Sequence, residues 1–89
     1  MIVLFDRSFI KSLDKLNDKP TKERLKTLIE SMEKVDSIFE LSGIKAMKGH
    51  PGFYRIRIGD YRAGFEVTKN KEIILILIAH RKDIYKRFP

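Results

Sequence analysis

Apolar positions recur at helical spacing in the first half of the chain and at strand spacing in the second. The opening run, Ile2-Val3-Leu4-Phe5, is β-branched and aromatic and predicts a short strand. Asp6 or Ser8 then suits a helix N-cap, because a short oxygen-bearing side chain accepts a bond from a free backbone N–H. Phe9, Leu13 and Leu16 follow on one helical face. Asn17-Asp18-Lys19-Pro20 interrupts the pattern, and Pro20, with no N–H to lose, fits the first turn of a second helix. Leu25, Leu28, Ile29, Met32 and Val35 form the apolar stripe of that helix, which core packing explains.

From Asp36 to Gly52 no period holds, and the segment is long for a structureless loop. It is therefore expected to be functional or partly structured. Beyond it the pattern turns to β. Phe53 to Ile58 and Tyr61 to Thr68 flank Gly59-Asp60, a two-residue hairpin signal, and Lys69-Asn70-Lys71 makes the next turn. Glu72 to Ala79 is apolar at almost every position, as in a strand covered on both faces. The pattern predicts an α+β fold in a single domain spanning residues 1–89, of order β-α-α-β-β-β. Its antiparallel sheet packs on one face against a helical hairpin. The first strand must join this sheet beside one of its outer strands.

Composition narrows the partners. A formal net charge of +7 on 89 residues favours a polyanion: nucleic acid, an acidic protein or an anionic membrane surface. The absence of cysteine removes disulfides and thiolate zinc sites, which fits a reducing cytosol. The longest apolar run, Ile73 to Ala79, is far below membrane-spanning length, and Met1 to Phe5 is too short for the apolar region of a signal peptide. Two histidines without a matching carboxylate spacing make no metal site, and no cofactor motif is present.

The cations concentrate in the hairpin and the tail. Strand alternation puts Arg55 and Arg57 on one sheet face and Tyr54, Ile56 and Ile58 on the other. Arg62 lies just across the turn, and His80-Arg81-Lys82-Asp83-Ile84-Tyr85 leaves the end of the last strand. Paired as proposed, these residues could line one concavity suited to a phosphodiester, since arginine's planar fork binds phosphate oxygens in pairs and stays charged. A solvated sheet face is the competing reading for the arginines, and packing for Tyr61 and Tyr85. A loop role competes for His50, and a structural role for His80.

The hairpin Tyr54-Arg55-Ile56-Arg57-Ile58-Gly59-Asp60-Tyr61-Arg62 resembles the signature of RelE-type toxins of type II toxin–antitoxin modules. So do Met47-Lys48-Gly49 and the closing His80 to Tyr85, and the element order matches over nearly the whole chain. The resemblance implies a RelE-like, microbial-RNase-type fold and a cytoplasmic endoribonuclease that cuts mRNA in the ribosomal A site. It also implies a RelB-like antitoxin as partner. ParE-type toxins share the fold but act on DNA gyrase; they usually lack the full basic set with the tail tyrosine.

On this resemblance Arg57, Arg62, Arg81, Tyr85 and His80 are the candidate catalytic residues, with Arg55, Lys45 and Lys48 holding RNA. The implied reaction is metal-free attack of a ribose 2′-hydroxyl on the adjacent phosphate. It requires a proton acceptor, stabilisation of the phosphorane charge and a donor to the leaving 5′-oxygen. Arg62 and Arg81 suit the charge, and Tyr85 suits stacking on a base or orienting the 2′-hydroxyl. Arginine effectively cannot accept the proton, which leaves His80, with Glu40 and Glu66 as weaker candidates. A non-catalytic RNA-binding domain is the remaining alternative.

Overall fold

A computed structural model describes residues 1–89. The strands are β1 (Ile2–Phe5), β2 (Ile44–Ala46), β3 (Phe53–Ile58), β4 (Tyr61–Val67) and β5 (Glu72–His80). The helices are α1 (Arg7–Asp14), α2 (Lys19–Lys34) and α3 (Ile84–Arg87). One five-stranded sheet has the order β1-β5-β4-β3-β2. The α+β class and the antiparallel meander of β3, β4 and β5 are as the pattern predicts. The first strand joins the outer side of β5 and runs parallel to it, from Ile2 opposite Glu72 to Phe5 opposite Leu75.

The helix starts follow local chemistry. The Asp6 side chain accepts from the Ser8 N–H at 3.0 Å and so caps α1. The Ser8 hydroxyl bonds the same carboxylate, and these bonds hold the Asp6 carboxyl below its ordinary pKa of 3.8. Pro20 sits in the first turn of α2. At the other end of α2, the Met1 amino group donates to the carbonyls of Met32, Glu33 and Val35 at 2.8–3.1 Å. A cation there satisfies free carbonyls and opposes the helix dipole.

The main core lies between α1, α2 and one sheet face. Phe9, Leu25, Met32, Ile56, Phe65, Ile73 and Leu75 are buried in it. Each such side chain contributes about 1.5–3 kcal/mol by leaving water. A second, smaller core lies on the opposite face, where Leu77, Ala79, Ile84 and Phe88 pack with Met47 and Phe53. A bulge in β5 serves both. Gly64 faces Leu77 but Phe65 faces Leu75, so Ile76 is the extra residue and Leu75 and Leu77 point to opposite faces. That arrangement is why β5 is apolar at almost every position.

β1 stops at Phe5, short of the end of β5, and two serines of α1 continue its work. Ser8 Oγ shares its one hydrogen between the Asp6 carboxylate and the Ile76 carbonyl, 2.7 Å from the latter, and Ser12 Oγ accepts from the Ile78 N–H at 3.0 Å. One helical turn apart, they share a face of α1 and satisfy backbone groups that a longer strand would have taken.

The connector carries structure that its pattern does not announce. Ile38–Glu40 forms a 3-10 turn, and β2 pairs with β3. Ser37 caps that turn, and the Glu40 carboxylate accepts from the N–H groups of Asp36 and Ser37, both at 3.0 Å. Glu40 is thus committed to a capping box and is not a free proton acceptor. The tail holds the four-residue helix α3, where the sequence pattern shows only a basic segment.

Candidate functional site

β2, β3 and β4 present a cation-lined hollow on the face away from α1 and α2. Lys45 stands opposite Arg55, and Arg57 opposite Arg62, so strand register alone brings four cations together. The cavity holds about 410 Å³ and is lined by Gly43, Ile44, Lys45, Arg55, Arg57, Arg62 and Tyr85. No carboxylate lines it.

Tyr85 arrives from α3. Ile84 is fully buried and Phe88 nearly so, and these two anchors leave Tyr85 63% exposed between them. The Phe88 ring fills the space above Gly64, where a built Cβ would lie 2.6 Å from it. The segment starts from a fixed point, because the Arg81 N–H donates to the Asp60 carbonyl at 2.8 Å at the hairpin tip. The outcome is a stack in which the Arg55 guanidinium carbon sits 4.3 Å from the centre of the Tyr85 ring.

Arg62, like Arg55, is half-buried. Its Nη1 donates to the carbonyls of Gly59 at 2.9 Å and Tyr61 at 2.8 Å, which fixes its plane. Partial loss of water lowers its pKa below the ordinary guanidinium value, and repulsion from Arg55, Arg57 and Arg81 lowers it further. Like charges held this close with no counter-charge in the lining make the hollow strongly electropositive.

Five of the eight sequence-selected residues line this hollow: Lys45, Arg55, Arg57, Arg62 and Tyr85. Arg81 stands just outside the lining, and its charge is felt at Arg62. Lys48 is exposed in the turn after β2 and is not in the lining. His80 is on the wrong side of the sheet. It pairs with Tyr61, one residue out of step with Arg62, and its ring makes an edge contact with Tyr61 at 5.5 Å. Its Nδ1 accepts from the Lys82 N–H at 3.2 Å. His80 lines a separate cavity with Lys15, Asp18, Tyr61 and Asp83. Strand alternation explains the separation, because Ala79 and not His80 is in register with Arg62. Glu66 shares the arginine face but lies four residues along β4 from Arg62, about 13 Å at strand spacing. Gly43 and Ile44 line the hollow without having been singled out, since neither carries ionisable chemistry.

The lining can bind a phosphate and stabilise added negative charge on it.

The chain and its fold are similar to those of known proteins. A family model described as the ParE toxin of type II toxin–antitoxin systems matches residues 3–85. Toxin RelE3 of Methanocaldococcus jannaschii is 40% identical over 90 aligned positions, which cover all of both chains. The toxin fold also superposes on a crystal structure of a RelB-RelE antitoxin-toxin complex from Methanococcus jannaschii. That match has TM-score 0.82 and 37% identity, covering 97% of this chain and 99% of the other. An archaeal RelE-RelB complex from Pyrococcus horikoshii shares the fold at TM-score 0.72 and 24% identity, covering 90% of this chain and 93% of that one. The chain belongs to the RelE/ParE superfamily of type II toxins.

Proposed function

We propose that this toxin is an endoribonuclease that cuts mRNA in the A site of the ribosome and so stops translation. The observation that carries the reading is the carboxylate-free hollow with four cations and a stacked tyrosine. In the reaction the ribose 2′-oxygen bonds to the adjacent phosphorus and the bond to the 5′-oxygen breaks. The products are a 2′,3′-cyclic phosphate and a 5′-hydroxyl, whose proton comes from water. Arg57 and Arg62 stabilise the charge that builds on the phosphorane, with Arg81 beside the departing oxygen. Tyr85 stacks on a base or orients the 2′-hydroxyl, and Arg55 holds both the ring and a phosphate. His80 lines a separate cavity and Lys45 enters the hollow as a cation, so the 2′ proton passes to water. Positioning by the ribosome supplies much of the rate, so a weak base suffices. The relatives solved as RelB-RelE complexes support a RelB-like antitoxin as partner, and a cytoplasmic site of action follows from such a target.

The test is a stalled ribosome carrying a defined mRNA, with cut ends mapped by primer extension. Wild-type protein should cut within the A-site codon. Free mRNA should stay intact, and a folded Arg81→Ala variant should cut at least about 100-fold more slowly, the scale for losing one charge-stabilising donor. One observation favours a second reading, inhibition of DNA gyrase: the matching family model carries the ParE description. Gyrase inhibition and a DNA-damage response, with intact mRNA on ribosomes, would select it.

A further inference from the structure

The cation track does not end at the hollow. A second cavity of about 310 Å³ opens on the other side of the hairpin tip, lined by Arg24, Ser31, Ser42, Arg57 and Gly59 over an apolar floor that includes Leu28. Arg57 lines both cavities. Arg24 comes from α2, and the end of its guanidinium reaches the tip: a Cβ built on Gly59 would sit 2.7 Å from its Nη1. Gly59 has φ +59° and no side chain, so it leaves that place open. The same residue's carbonyl accepts from Arg62 at 2.9 Å. Two arginines from different elements therefore flank Gly59. They do not form one cluster, since Arg55, Arg57 and Arg81, and not Arg24, are the cations acting on Arg62. No carboxylate lines the second cavity.

We infer that Arg24, Arg57 and Ser42 form a second phosphodiester subsite, one that takes a phosphate of the same RNA strand next to the one held in the hollow. The inference rests on the RNA-directed reading above. Guanidinium groups bind phosphate oxygens in pairs, and a nearby hydroxyl adds a donor. Arg57, shared by both cavities, is the bridge between neighbouring phosphates. The apolar floor gives no specific base contact, so this subsite sets register and not sequence.

The experiment is fluorescence anisotropy of a labelled single-stranded oligouridylate over a series of salt concentrations. It compares the intact protein with Arg24→Gln, Arg24→Lys and Lys26→Gln. Each phosphate contact steepens the slope of log affinity against log salt by about 0.7 for a single strand. Arg24→Gln should flatten the slope by that amount and weaken binding several-fold at low salt. Arg24→Lys, which keeps the charge, should retain the wild-type slope. Lys26 is also on α2 but faces a different groove, so Lys26→Gln has the same net charge as Arg24→Gln and should leave the slope unchanged. An Arg24→Gln slope equal to wild type, or one matched by Lys26→Gln, overturns the subsite and leaves the RNA reading standing. Failure of the wild-type protein to bind the oligomer at any salt also overturns the subsite, while the RNA-directed reading stands or falls on the stalled-ribosome cut.

Discussion

Arg62 is where the energetic cost of the site is clearest. Its lowered pKa means that the folded chain holds this charge less comfortably than the unfolded chain does. The sign follows: between the lowered folded value and the ordinary guanidinium value the unfolded state binds more protons, so stability rises with pH there, and at neutral pH the charge works against folding. Arg62→Gln is therefore expected to lose cleavage by roughly 100-fold or more, while its thermal midpoint stays level or rises. A clear drop in the midpoint by calorimetry would mean that Arg62 is chiefly structural. Tyr85 divides in a similar way. Tyr85→Phe keeps the ring over Arg55 and should bind RNA nearly as well as wild type, whereas Tyr85→Ala loses a stacking surface worth about 1–3 kcal/mol. Equal affinities for the two variants would show that the ring carries no base. At this scale the sequence pattern was a good guide where strand alternation set the direction, as for Arg55 and Arg57. It failed at His80, because the face of that residue depends on a bulge and a register that only the paired strands define.

The elements that hold the site differ in how much their sequence announces. α2 has three turns of stripe and a proline in its first turn, and the hairpin has a two-residue turn; both were legible. β2 is three residues long and α3 four, too short to show a period, and each exists because a partner surface receives it. Gly64 illustrates the point: in the sequence it weakens a strand, and in the fold it is the socket for Phe88. Gly64→Val should expel the Phe88 ring, release α3 and separate Tyr85 from Arg55. The expected signs are a lower melting midpoint and rapid proteolysis after residue 80, with β1, α1 and α2 intact. Resistance of the tail equal to wild type would show that Phe88 has other adequate seating. Ser12 makes the corresponding case on the other face. Ser12→Ala leaves the buried Ile78 N–H without its 3.0 Å partner and should cost about 1–3 kcal/mol in urea unfolding, far more than its lost volume would.

Across the whole molecule, the chain closes on itself through contacts distant in sequence. Ile2 and Glu72 are register partners, and the Met1 amino group reaches the end of α2. Long-range pairing of this kind slows folding to the millisecond-to-second range. β1 is expected to dock late. Val3→Ala should therefore speed unfolding several-fold and leave the folding rate within roughly twofold of wild type, and a stopped-flow experiment that found the loss in the folding limb would place β1 in the nucleus. The parallel pairing of β1 with β5 also bears on how a cell makes such a protein. Synthesis runs from β1 towards α3, so β1 and both long helices are complete well before Glu72–Leu75 exist to receive the first strand. Tyr85 and Phe88 come later still. A growing chain carries its cations with no ring over Arg55 and no anchor above Gly64, so the hollow forms only in a copy whose translation has passed through α3.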